Sequence, residues 1–149
     1  VPYRNVVVGT DGSATAELAV RHAAELAKAF GARLTVVTAF TPRPEEEAKR
    51  LQQAPEDVRW AITDATSADE RARRARGIAK EIGVEDVVLR VDSGDPASLL
   101  IDAADDSGGD VIVVGSKGMT SAKRFVLGSV PNKVSHHARC DVVIVHTAA

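Results

Sequence analysis

Val111-Ile112-Val113-Val114-Gly115-Ser116-Lys117-Gly118-Met119-Thr120-Ser121-Ala122-Lys123-Arg124-Phe125-Val126-Leu127-Gly128-Ser129-Val130-Pro131 joins an apolar β-branched run to a small, polar and basic loop. A second glycine and a serine then open a new apolar-periodic segment. This reads as strand, loop and helix N-terminus. Backbone N–H groups at a helix start, flanked by glycines and cations, are what an anionic ligand needs. Gly115 lets the chain turn at the strand end, and Gly118 and Gly128 leave room for close backbone approach to a phosphate. Ser129 adds a hydroxyl beside free helix N-terminal donors, and Lys117, Lys123 and Arg124 supply charge.

Outward from this loop, the same unit recurs. Arg4 to Gly9 is a continuous apolar run ending in glycine, the pattern of a strand covered on both faces. Thr10-Asp11-Gly12-Ser13 is a tight polar turn, with Ser13 as N-cap of a helix whose apolar residues run from Ala16 to Phe30 and stop at Gly31. Arg33 to Phe40 is a second strand. Residues 41–66 lose the pattern at Pro42, Pro44 and Pro55, so a mobile crossover is expected, with helical turns near 46–53 and 58–62 and Trp60 as a packing anchor. Ser67-Ala68-Asp69-Glu70 has capping-box spacing, and a stripe of Ala68, Ala72, Ala75 and Ala79 follows to Gly83. Arg71, Arg73, Arg74 and Arg76 alternate with acids, as on a solvated helix face. Val84–Val91 reads as a third strand. Asp95 caps a helix with Pro96 at its first position, ending at Ser107-Gly108-Gly109. A fourth strand at 110–115, a last helix from about Ser129 to Ala138 and a fifth strand at Asp141–His146 complete the chain. Five apolar strands alternating with four helical patterns give a doubly wound α/β sheet in one domain spanning 1–149. Ligands in such sheets bind beyond the carboxyl ends of the strands, where strand order reverses.

Composition narrows the partners. Nineteen basic against 21 acidic side chains give a net charge of -2, which points to neither nucleic acid nor membrane. No apolar run approaches the roughly 18 residues of a membrane span. A single cysteine, Cys140, excludes an intramolecular disulfide and suits reducing surroundings. No signal-peptide pattern is visible, so a cytoplasmic protein is expected. The loop is not a Walker P-loop, because the glycine before Lys133 is missing, and Gly9-x-x-Gly12 is not a dinucleotide fingerprint.

The spacing Gly115-x2-Gly118-x9-Gly128-Ser129, together with Val6–Ser13, Gly94-Asp95-Pro96 and Val142–Val145, resembles the adenine-nucleotide-binding branch of the universal stress protein family. The resemblance covers almost the whole chain and is weakest at 41–66. It implies a Rossmann-like parallel sheet of order 3-2-1-4-5, related to the adenine nucleotide alpha hydrolase-like fold. It implies Thr10 and Asp11 beside the nucleotide and main chain near Ala39 at the adenine. Gly115, Lys117, Gly118, Gly128, Ser129 and Val130 would surround ribose and phosphates. It also implies a homodimer formed by the last strand, and Val142–Val145 is independently an apolar edge with little chain left to cover it.

Chemistry beyond binding is sparse in the sequence. Asp11 either caps its own turn, hydrogen-bonds a ribose or holds Mg²⁺ with ATP. His136 and His137 fall about two turns beyond the phosphate end of the last helix, and Cys140 has no third group beside it. With no nucleophile–base pair or carboxylate pair in evidence, the expected function is an ATP-binding, nucleotide-responsive regulatory dimer acting on an unidentified protein partner. Cyclic AMP or AMP binding and slow Mg²⁺-dependent ATP hydrolysis are the alternatives. Three cations in the loop exceed the need of one phosphate and favour ATP.

Overall fold

The computed structural model describes residues 3–40, 64–116 and 129–147. Strands β1 (Asn5–Gly9), β2 (Arg33–Phe40), β3 (Val87–Ser93), β4 (Val111–Gly115) and β5 (Asp141–Val145) form one parallel sheet of order β3-β2-β1-β4-β5. Helices α1 (Ala14–Phe30), α2 (Asp64–Ile82), α3 (Pro96–Ser107) and α4 (Ser129–His137) cover it.

The continuous apolar runs have the physical role their pattern predicts. Successive residues of a strand face opposite sides. Val6 and Val8 of β1, Leu34 and Val36 of β2, and Val111 and Val113 of β4 pack with Ala19, Ala23 and Ala27 of α1 and Ala75 and Ala79 of α2. Val7, Val37, Ile112 and Val114 pack on the opposite face with Ala97, Leu100, Ala103 and Ala104 of α3 and Val134 of α4. The small alanine stripes let these helices lie close to the sheet. At its amino edge, β1 is pinned by polar bonds. Asn5 Nδ2 donates to Ser107 Oγ at 2.8 Å, Thr35 Oγ1 donates to Asn5 Oδ1 at 3.0 Å, and the Asn5 amide donates to Asp110 Oδ2 at 2.9 Å. Asn5 and Thr35 are both buried, so these bonds replace the water they lost.

Two elements have bounds more than one residue away from the sequence reading. α2 begins at Asp64, so Ser67 lies inside the helix and is not its cap, and the crossover ends before residue 66. The capping-box spacing is met within a helix whose start lies further back. β3 begins at Val87 rather than Val84 and ends at Ser93 rather than Val91. Val84 is buried, but it closes α2: its amide donates to Ala79 O at 3.0 Å while the Gly83 amide donates to Lys80 O at 3.1 Å. That pairing, with Gly83 at φ 118°, is a Schellman end, whose following residue is commonly apolar. The apolar residue that reads as a strand start is therefore a helix plug. The helical turns expected at 46–53 and 58–62, and Trp60, lie outside the described residues.

α3 starts as its sequence predicts. Asp95 caps it, accepting from the Ser98 amide at 3.0 Å, and also accepts from Lys133 Nζ of α4 at 2.8 Å. The Lys133 ammonium, then the Ser98 donors, hold the Asp95 carboxyl below the ordinary carboxylate value. A depressed folded-state value means that stability is present above the unfolded value near pH 4 and is lost as pH falls through the lower folded value. Asp95→Ala is expected to cost about 0.5–2 kcal/mol at pH 7, mostly as a lost cap because the ion pair is half exposed. Thermal melts from pH 7 to 2.5 check this: the difference between wild type and variant should close below about pH 4. A constant difference across the range would assign the loss to something other than the carboxylate.

Candidate functional site

The sheet forks at its carboxyl edge. β1 pairs with β4 from Val6↔Val111 to Val8↔Val113, where the pairing ends. Beyond that point Gly9 stays with Val37 of β2, and Val114 and Gly115 go with Ile144 and Val145 of β5. The Thr10 amide, donating to Val37 O at 3.0 Å, carries the chain further toward β2. On the other side the Ser116 amide donates to Val145 O at 2.7 Å, and Ser116 Oγ accepts from the Thr147 amide at 3.1 Å. An open cleft lies in the fork. This is the topological switch point at which open α/β sheets bind ligands.

One wall of the cleft is the turn after β1. Asp11 Oδ1 accepts from both the Ser13 amide at 2.9 Å and Ser13 Oγ at 2.6 Å, and Ser13 Oγ in turn caps α1 by accepting from the Ala16 amide at 3.2 Å. The Gly12 amide donates to Thr10 Oγ1 at 3.1 Å. Gly12 takes φ 82°, the left-handed region that this turn requires and that other residues rarely adopt. The second wall is Gly115 and the first turn of α4, through Val130 and Pro131. The floor is apolar: Val37 and Ala39 of β2, Ala16 and Ala19 of α1, and Pro96 and Leu100 of α3. Asp11 is the only charged side chain among the described lining residues.

Of the residues singled out from the sequence, Thr10, Asp11, Ala39, Gly115 and Val130 line this one cleft. Ser129 opens α4 next to it. Lys117, Gly118, Gly128, Lys123 and Arg124 lie outside the described residues. Ala16 and Ala19 of α1 and Leu100 of α3 carry no site signal in the sequence, because helical periodicity accounts for them as core, and Pro96 reads there as a helix start. His136 and His137 occupy the last turn of α4. Cys140 is partly buried, and burial, then the Asp141 carboxylate, push its thiol up, which opposes nucleophilic chemistry. Among the described residues no group of three or more His, Cys, Asp or Glu is placed to hold a metal ion, and no helix is long and apolar enough to cross a membrane.

The universal stress protein family model matches residues 2–146. The chain belongs to the universal stress protein family. A universal stress protein of Mycobacterium tuberculosis is 37% identical over 145 residues, covering 97% of each chain. Among solved structures, a universal stress protein in complex with cAMP is 34% identical with a TM-score of 0.75, over 99% of this chain and 100% of that one. The universal stress protein of Archaeoglobus fulgidus in complex with dAMP is 27% identical with a TM-score of 0.67, over 97% and 98%. The family's sheet order and the order found here agree, so the resemblance read from the glycine spacing and the strand pairing lead to the same fold.

Proposed function

We propose that this chain is an ATP-binding universal stress protein that acts as a nucleotide-responsive regulatory homodimer. The observation that carries the reading is the fork in the sheet, where the Thr10–Ser13 turn and the first turn of α4 face one cleft with an apolar floor. An apolar floor suits a purine, and a helix N-terminus suits phosphate. In this reading the adenine meets main chain near Ala39, and Thr10 and Asp11 lie beside the nucleotide. Gly115, Lys117, Gly118, Gly128, Ser129 and Val130 surround the ribose and phosphates. Mg²⁺ commonly binds through one or two carboxylates plus phosphate oxygens, and Asp11 Oδ2 is a carboxylate oxygen available for that role. Without a nucleophile–base pair among the described residues, the cleft is read as a sensor's grip, and slow ATP hydrolysis as at most a side activity.

A second reading, cyclic AMP as the ligand, is favoured by the cAMP complex of a relative 34% identical to this chain. Calorimetry with ATP, ADP, AMP and cyclic AMP, each with and without Mg²⁺, separates the readings. ATP is expected to bind below roughly 1 mM, about −4 kcal/mol or better. Tighter binding of cyclic AMP than of ATP selects the second reading, and no binding by any of the four sinks both.

The dimer is read from β5. Among the described residues it is an edge strand paired with β4 alone, and it exposes Ile144 beside partly buried Val142, Val143 and Val145. An apolar edge of this kind is a template for pairing with a second copy. A monomeric mass in sedimentation at micromolar concentration would remove this part of the proposal.

A further inference from the structure

We infer that Arg71 of α2 is a positioning residue for the ligand-facing turn, acting through its aliphatic stem on Gly12. The inference rests on the reading of the cleft as the nucleotide site. A Cβ built on Gly12 would lie 2.6 Å from Arg71 Cδ, 3.0 Å from its Cγ and 3.7 Å from its Cβ, so the arginine stem lies flat on the turn's glycine. Gly12 is the residue between Asp11, which lines the cleft, and Ser13, which both bonds the Asp11 carboxylate and caps α1. The stem therefore reaches Asp11 through the backbone of the turn, at the residue spanned by the Ser13–Asp11 hydrogen bond. On the far side of the turn, Arg71 and Arg74 of α2 face Glu17 and Val20 of α1 across a narrow crevice that shares Thr10 and Ser13 with the cleft.

The contact is made by methylenes. Arg71 Nε is buried and has no hydrogen-bond partner among the described residues, so hydrogen bonding at that nitrogen does not hold the side chain in place. A buried N–H without an acceptor is unfavourable, and an unbranched apolar residue of similar length would cover Gly12 without it. The positioning role thus belongs to the stem and is separable from the charge.

The test uses Arg71→Ala, which removes the stem, and Arg71→Met, which keeps most of it. In ligand-free protein, hydrogen exchange at the Ser13 amide reports whether its bond to Asp11 is held. Arg71→Ala is expected to lower protection at Ser13 at least roughly tenfold, while Arg71→Met keeps it. ATP affinity should fall roughly five- to tenfold in Arg71→Ala and stay within about twofold of wild type in Arg71→Met. Gly12→Ala should weaken binding more than either variant, and adding Arg71→Ala should recover part of that loss by removing the clash. Unchanged Ser13 protection in Arg71→Ala overturns the inference whether or not any nucleotide binds. Lowered protection with unchanged ATP affinity overturns it as well. Equal loss in Arg71→Met assigns the effect to the charge and overturns the stem role. Failure of wild type to bind any adenine nucleotide is a different result: it removes the proposed function, and the exchange measurement still decides whether Arg71 holds the turn.

Discussion

Ala39→Phe is expected to weaken adenine-nucleotide binding at least about 100-fold, roughly 2.7 kcal/mol, while leaving the melting temperature near that of wild type. Ala39 lies near the end of β2, one residue before Phe40, and on the same face as Val37. Both residues line the cleft. The methyl of alanine leaves the floor open, whereas a phenyl ring would take the volume assigned to the base. The backbone at Ala39 is paired with Asp92 of β3, and this pairing does not depend on the side chain. The fold therefore has little reason to change, because the added ring enters open space rather than the packed core. Calorimetry with ATP, paired with circular dichroism melts, measures both halves of the expectation. Ala39→Ser, nearly unchanged in volume, serves as the control and should bind like wild type. Wild-type affinity in Ala39→Phe would show that the cleft is not where the base sits.

The largest loss of stability from adding a single methyl is expected at Gly109. Gly108 and Gly109 read alike in the sequence as a helix stop, yet the structure separates them. Gly108 has φ 68° and open space around it, as a helix-ending residue should. Gly109 lies against the core: a Cβ there would meet Ala104 Cα and Val7 Cγ2, each at 2.9 Å, and Ala104 Cβ at 3.1 Å. One neighbour is helix backbone and the other is a fully buried strand side chain, so neither can move cheaply. Gly109→Ala should cost about 2–3 kcal/mol and lower the melting temperature by roughly 5–10 °C. Gly77→Ala is the opposing control. Gly77 sits inside α2 with nothing near its Cβ position, so the same change there should stabilise by about 0.5–1 kcal/mol through helix propensity. If Gly109→Ala melts with wild type, the close approach of β1, α3 and the following turn is not as described.

The part of the candidate cleft formed by the Thr10–Ser13 turn was legible because its signals are local. Glycine at a strand end, a polar turn and a serine cap are all read within a few residues, and the Thr10–Ser13 turn has the hydrogen bonds that its residue types favour. The cap at Asp95 was legible for the same reason. The errors came where one local pattern serves two structures. Val84 is apolar after a glycine, which fits both a strand start and the plug of a helix end, and only the bond from its amide to Ala79 O separates the two. Ser67 has a capping-box partner at the right spacing, but the helix had already begun at Asp64. Lys133, read only as a lysine inside a helix, reaches Asp95 on another helix, a pairing with no trace in sequence spacing.

From its amino-acid sequence alone, the chain declares five apolar strands and the helices between them, and it offers a loop whose residue types read as suited to an anion. Those features depend on periodicity and on neighbours a few residues away. The tertiary structure decided where β1 and β4 part, since their pairing ends at Val8↔Val113 while each strand continues with a different partner. It also decided that α1 and α3 floor the cleft and that Arg71 lies on Gly12. These contacts join residues far apart in the chain, and they depend on how crossovers and packed helices bring one edge of the sheet together, which no local pattern encodes.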